Sequence, residues 1–105
     1  MSRPKYGWWS YAQSMIRKYP ERAKRADGLS AIERKELEAV QGAIHDLRRA
    51  GNSAERLQII ELVYWKQRRT LAGAAMELSY SYRTVKRWHS EFVYGVAAHF
   101  GLLEA

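Results

Sequence analysis

A chain of 105 residues that is 47% hydrophobic and 12% aromatic can bury a core, which excludes wholesale disorder and suits one compact domain, or a small domain with an arm. It has no cysteine, which excludes disulfides and thiolate chemistry and leaves only histidine and carboxylates for any metal site. Its net charge of +7 favours polyanionic partners, chiefly nucleic acid or an acidic membrane surface.

The pattern of the chain is all-helical, because no stretch alternates cleanly like a strand. A first helix is predicted over 8–19. Pro20 ends it, or opens a short helical turn through Arg25, and Asp27-Gly28 is a break. Ser30 and Glu33 in "SAIE" form a capping box for a second helix. Leu37, Val40, Ile44 and Leu47 follow at spacings of three, four and three, a stripe read as core or, alternatively, as a dimer seam. Gly51-Asn52-Ser53 ends that helix, and Asn52 or Ser53 caps a third over 54–67. Leu57, Ile60 and Tyr64 share one face of the third helix, with Ile59 and Val63 beside it, which marks it as central. Thr70 caps a short fourth helix over 71–78. Ser81 caps a fifth, which carries Val85, Trp88, Phe92 and Val96 and runs to about Phe100. Gly42 and Gly95 fall inside helices, where close contact or a kink would explain them.

The charge is uneven. Residues 1–25 hold seven Lys/Arg against one acid, a net +6; residues 26–65 hold five against seven, a net −2; residues 66–105 hold six against three, a net +3. The first 28 residues read as a basic aromatic helical arm, and 29–105 as a helical DNA-binding domain. No apolar run approaches a membrane span, and the N-terminus lacks a signal-peptide apolar core, so a soluble cytoplasmic protein is expected.

The stretch from Thr70 to Phe92 has the layout of a helix-turn-helix. Such a motif needs a small residue where its helices cross, an apolar residue before the turn, and a second helix with one buried and one polar face. Ala75, Leu78, Val85 and Trp88 supply the scaffold. Ser79 stands where the turn would prefer glycine. Tyr82, Arg83, Lys86 and Arg87 are left on the exposed face of the first two turns, where a recognition helix reads bases. Lys66, Arg68 and Arg69, with Thr70, Ser81 and Thr84 at helix starts, are candidates for phosphates.

Nothing else carries a site. His45, His89 and His99 lack metal-ligand spacing and suit surface or packing roles. His45 and Asp46 are adjacent and diverge by about 100° on a helix, a poor dyad. Glu33, Glu36 and Glu38 lie among Arg34 and Lys35 and read as a solvated face. Trp8 or Trp9, with Tyr11, is expected to pack on the domain; the alternative is a basic aromatic arm, Arg3 to Tyr19, that touches DNA or a partner. With no phosphate loop or nucleophile motif, the chain reads as a non-enzyme without cofactor or metal.

Three stretches, "RPKYGWWSYAQSMIRKYPE", "AERLQIIELVYW" and "TLAGAAMELSYSYRTVKRWHSEFVYGVAAHFGLL", give the chain a wider likeness. It resembles the phage late-transcription activators of the RinA/ArpU type, and its last part is similar to the helix-turn-helix of sigma-70 region 4. The resemblance implies a regulator that switches on packaging and structural genes of a phage or prophage in a bacterial host. It carries over Ala75 and Leu78 as scaffold, and Ser81, Arg83, Thr84, Lys86 and Arg87 as recognition helix. The expected partner is double-stranded DNA, with host RNA polymerase and a second copy of the chain as further candidates. Two alternatives stand beside it: a small terminase-like packaging component, and a sigma-like adaptor that binds polymerase.

Overall fold

A computed structural model describes residues 7–103. The fold is all-α, with five α-helices among the described residues: α1 (Trp9–Lys24), α2 (Ala31–Arg48), α3 (Ser53–Ile60), α4 (Leu71–Leu78) and α5 (Tyr82–Phe100). A 3-10 turn, Ala26–Gly28, joins α1 to α2. No strand occurs among the described residues, and no helix among them is long and apolar enough to cross a membrane. Arg3, Pro4, Lys5 and Tyr6 of the expected arm lie outside the described residues.

The start of α2 follows its local code. Ser30 Oγ accepts the Glu33 N–H at 3.2 Å, and Glu33 Oε1 accepts the Ser30 N–H at 3.0 Å, so two otherwise orphaned donors are satisfied. Leu37, Val40, Ile44 and Leu47 are all buried inside the chain, so this stripe is core and not a free dimer seam. Val40, Ile44 and Leu47 of the stripe join Ala12, Met15 and Ile16 of α1 and Phe92, Val93 and Val96 of α5 in the main cluster. The α1 segment therefore belongs to the same core as the rest.

Three features depart from the sequence expectation. First, α1 does not end at Pro20 but runs through it to Lys24. Proline has no N–H to give the Ile16 carbonyl, which normally makes an interior proline costly. Here the Trp65 indole N–H donates to that carbonyl at 2.8 Å. Second, the third helix is not α-helical to Gln67. It widens into a π turn, Glu61–Trp65, with the Lys66 N–H on the Glu61 carbonyl at 2.7 Å. The inserted residue turns Tyr64 and Trp65 toward α1. Third, α3 begins at Ser53, and Asn52 in the cap position makes no side-chain cap bond. Its backbone is left-handed, φ 59°, and its amide lies 3.4 Å from the Tyr80 hydroxyl.

Gly42 and Gly95 both mark close contact between α2 and α5. A Cβ on Gly42 would come within 2.5 Å of the His99 ring, and one on Gly95 would meet the Ala43 methyl at 3.5 Å. His99 in turn pairs with Asp46 at 2.7 Å, so Asp46 has a partner from α5 and not its neighbour His45. The expected solvated face of α2 is also corrected at Glu36. That carboxylate is buried and is held by Arg22 and by the Tyr11 hydroxyl, both on α1.

Candidate nucleic-acid interface

The helices α4 and α5 are joined by the three residues Ser79–Ser81. Both helix starts are capped as expected. Thr70 Oγ1 accepts the Gly73 N–H at 3.1 Å, and Ser81 Oγ accepts the Thr84 N–H at 3.1 Å. The end of α4 is closed by the Tyr80 N–H on the Ala75 carbonyl and the Ser79 N–H on the Met76 carbonyl. Those two bonds are a Schellman motif, which needs a left-handed residue after the helix. Ser79 fills it at φ 61°, and Gly101 fills the same place after α5 at φ 94°. A side chain there is strained by about 1–2 kcal/mol. Ser79→Gly is accordingly expected to stabilise the protein by about 0.5–1 kcal/mol, net of the extra freedom of the unfolded chain. A rise in the urea midpoint at constant m-value is the readout; a fall would show that the serine hydroxyl matters more than the backbone.

A second apolar cluster fixes the angle between the two helices. Ile59, Ala75, Val85 and Trp88 are buried in it, with Val63, Leu71, Leu78 and Tyr80 packed around them. All four expected scaffold residues, Ala75, Leu78, Val85 and Trp88, are thus brought together. Tyr80 meets the Trp88 ring edge-on with centroids 4.9 Å apart. The Arg56 guanidinium also lies over that indole, 5.0 Å from the centroid. Arg56 also bonds Glu91 of α5 at 2.9 Å. Sequence reasoning did not single out Arg56, and no local signal could have found it, since its partners lie more than thirty residues away.

With Val85 and Trp88 inward, Tyr82, Arg83, Lys86 and Arg87 are all exposed. Arg83 and Lys86 have no ion-pair or hydrogen-bond partner among the described residues. Arg87 lies 3.9 Å from Glu91, a loose pair between exposed side chains. The phosphate candidates are less uniform. Lys66 and Arg68 are exposed, whereas Arg69 pairs with Glu77 at 2.9 Å. Ser81 donates its hydroxyl proton to Thr84 Oγ1 at 2.9 Å, so Ser81 acts as a cap and Thr84 keeps its own proton to offer. Met76 is 82% exposed on α4 and was not anticipated as a surface feature.

Beyond Lys86 the same strip of α5 passes under α1. His89 is buried there, stacked on the Tyr64 ring, with its Nε2 2.6 Å from the Tyr64 hydroxyl. The Gln13 amide donates to that hydroxyl at 2.9 Å. Burial pushes the His89 imidazole down to about 4, so it is neutral near pH 7. Trp9 packs edge-on against the His89 ring, and Trp8 and Trp9 both meet Tyr94, so the aromatic start of the chain is packed as expected. Beside this group an open cleft of about 400 Å³ separates α1 from the segment that leads into α4. No family model matches the chain, and no curated protein or solved structure gives a significant match.

Proposed function

We propose that the chain is a sequence-specific DNA-binding transcription regulator in which α4, the Ser79–Ser81 turn and α5 act as a helix-turn-helix. The observation that carries this reading is the exposed quartet Tyr82, Arg83, Lys86 and Arg87 on the first two turns of a helix anchored by buried Val85 and Trp88. A recognition helix contacts base edges from that part of its length. Arg83 and Arg87 suit bidentate contact with guanine, and Lys86 suits guanine or phosphate. Lys66, Arg68, Thr70 and Thr84 supply donors to the flanking phosphates. Its role as an activator of late phage or prophage genes rests on the resemblance to the RinA/ArpU type. The chemistry is binding, without a catalytic step or cofactor.

Selection from a random duplex library, followed by titration of the enriched site against salt, tests the reading. Neutralising about five phosphates gives a log–log salt slope near −4.5. Arg83→Ala is expected to weaken the selected site by about 1–3 kcal/mol while random duplex weakens less. Equal losses on both duplexes would remove base reading from Arg83. A library that yields no preferred site would favour the packaging or adaptor alternatives.

A further inference from the structure

The cleft beside His89 is lined by Gln13 and Arg17 of α1, Tyr64 of the π turn, Gln67 and Arg69 of the linker, and His89 itself, with two aliphatic side chains. No carboxylate lines it among the described residues. Two arginines from separate elements therefore line one cleft. Arg69 is partly neutralised by Glu77. Arg17 is exposed, has no partner among the described residues, and its charge acts on the Tyr64 hydroxyl. The floor is neutral, and the Tyr64 hydroxyl there is bonded to both the Gln13 amide and His89 Nε2. Gln67 at the rim holds a left-handed backbone, φ 52°, with the Arg68 and Arg69 N–H groups both turned to the Leu62 carbonyl. Strained residues of this kind gather at ligand clamps. Apart from the Glu77 carboxylate paired with Arg69, such a site offers cationic and amide donors, which suits a phosphate group.

We propose that this cleft holds a backbone phosphate of the bound duplex, with Arg17 as its principal donor, so that α1 adds to the footprint of α5. The assignment rests on the DNA-binding reading. It also rests on continuity: Tyr82, Lys86 and His89 are spaced four and three residues apart on one strip of α5, so a strand held at Lys86 runs on toward the cleft. The sequence placed the phosphate candidates Lys66, Arg68 and Arg69 in the segment leading into α4; the fold adds Arg17 from α1.

The test compares full-length wild type, Arg17→Ala and Lys18→Ala on one duplex across a salt series. Lys18 is an exposed neighbour outside the cleft and controls for the loss of one charge. Arg17→Ala is expected to reduce the magnitude of the salt slope by about 0.9 and the affinity about five- to tenfold near 0.1 M salt, with Lys18→Ala close to wild type. If wild type binds and Arg83→Ala weakens it, but Arg17→Ala matches Lys18→Ala, the cleft assignment fails and the DNA-binding reading stands. If wild type binds no duplex, both fail. A parallel titration with inorganic phosphate and AMP, without DNA, separates the sources. Saturable binding at sub-millimolar concentration that Arg17→Ala abolishes would make the cleft a site for a free phosphorylated ligand and overturn the backbone assignment. Equal melting temperatures of the three proteins exclude a folding artefact.

Discussion

Replacing Arg22 by alanine is expected to cost about 3–5 kcal/mol of stability, because it leaves the Glu36 carboxylate buried without its cation. Both side chains are only 10% exposed, and the Tyr11 hydroxyl is the carboxylate's other partner. Burial and the neighbouring carboxylate push the Tyr11 phenol up to about 12, so it remains a donor across the working pH range. The pair itself is not a large source of net stability, since removing two charges from water offsets most of their attraction. That predicts an asymmetry. Arg22→Met with Glu36→Leu should recover most of the loss, although each single change is damaging. Urea unfolding of the two singles and the double measures it. A single substitution that costs less than about 1 kcal/mol would mean that water reaches the pair in solution. Because Arg22 and Tyr11 are on α1 and Glu36 is on α2, the pair also fixes how α1 lies over the core, and with it the position of Arg17.

Stability is expected to fall by about 3 kcal/mol between neutral pH and pH 4 through His89 alone. Its imidazole titrates at about 4 in the folded chain, against an ordinary value of 6.5. The unfolded chain therefore binds the proton first as pH drops. The contribution is complete above about pH 6.5 and is lost progressively down to about 4, so stability rises with pH across that window. The cause is burial under α1, where the ring packs against Tyr64 and Trp9 and its Nε2 already shares the Tyr64 hydroxyl. Denaturant midpoints at several pH values, with His89→Gln beside wild type, isolate the effect. The variant should show a flatter profile between pH 6.5 and 4. Identical slopes in the two proteins would show that His89 is hydrated when it charges.

The helix-forming pattern, the caps of α2, α4 and α5 and the exposed basic face of α5 are legible in the sequence because each depends on residues within one or two helical turns. The Ser30–Glu33 box, Thr70 and Ser81 reach only three residues along the chain. Arg83, Lys86 and Arg87 face outward because Val85 and Trp88, on the same turns, face inward. Glu36 shows where that logic stops. Its charged neighbours mark it as solvated, yet it sits one turn before Val40 on the side that α1 covers, and Arg22 makes its burial tolerable. Pro20 is similar: the local rule ends the helix there, and an indole 49 residues away from the Ile16 carbonyl removes the reason to end it.

The sequence by itself thus determined an all-α chain, its helix starts, most of its core stripes and which basic residues of α5 point to solvent. Tertiary structure alone decided that α1 continues past Pro20, that the third helix opens into a π turn, that Arg56 braces Trp88, and that Arg17 and Arg69 line one cleft. The division has a physical cause. Backbone hydrogen bonds and caps act between residues a few positions apart, so spacing encodes them. The packing of one helix on another is set by the summed shape of both surfaces, and no single residue's type announces which distant partner will complete its hydrogen bonds or balance its charge.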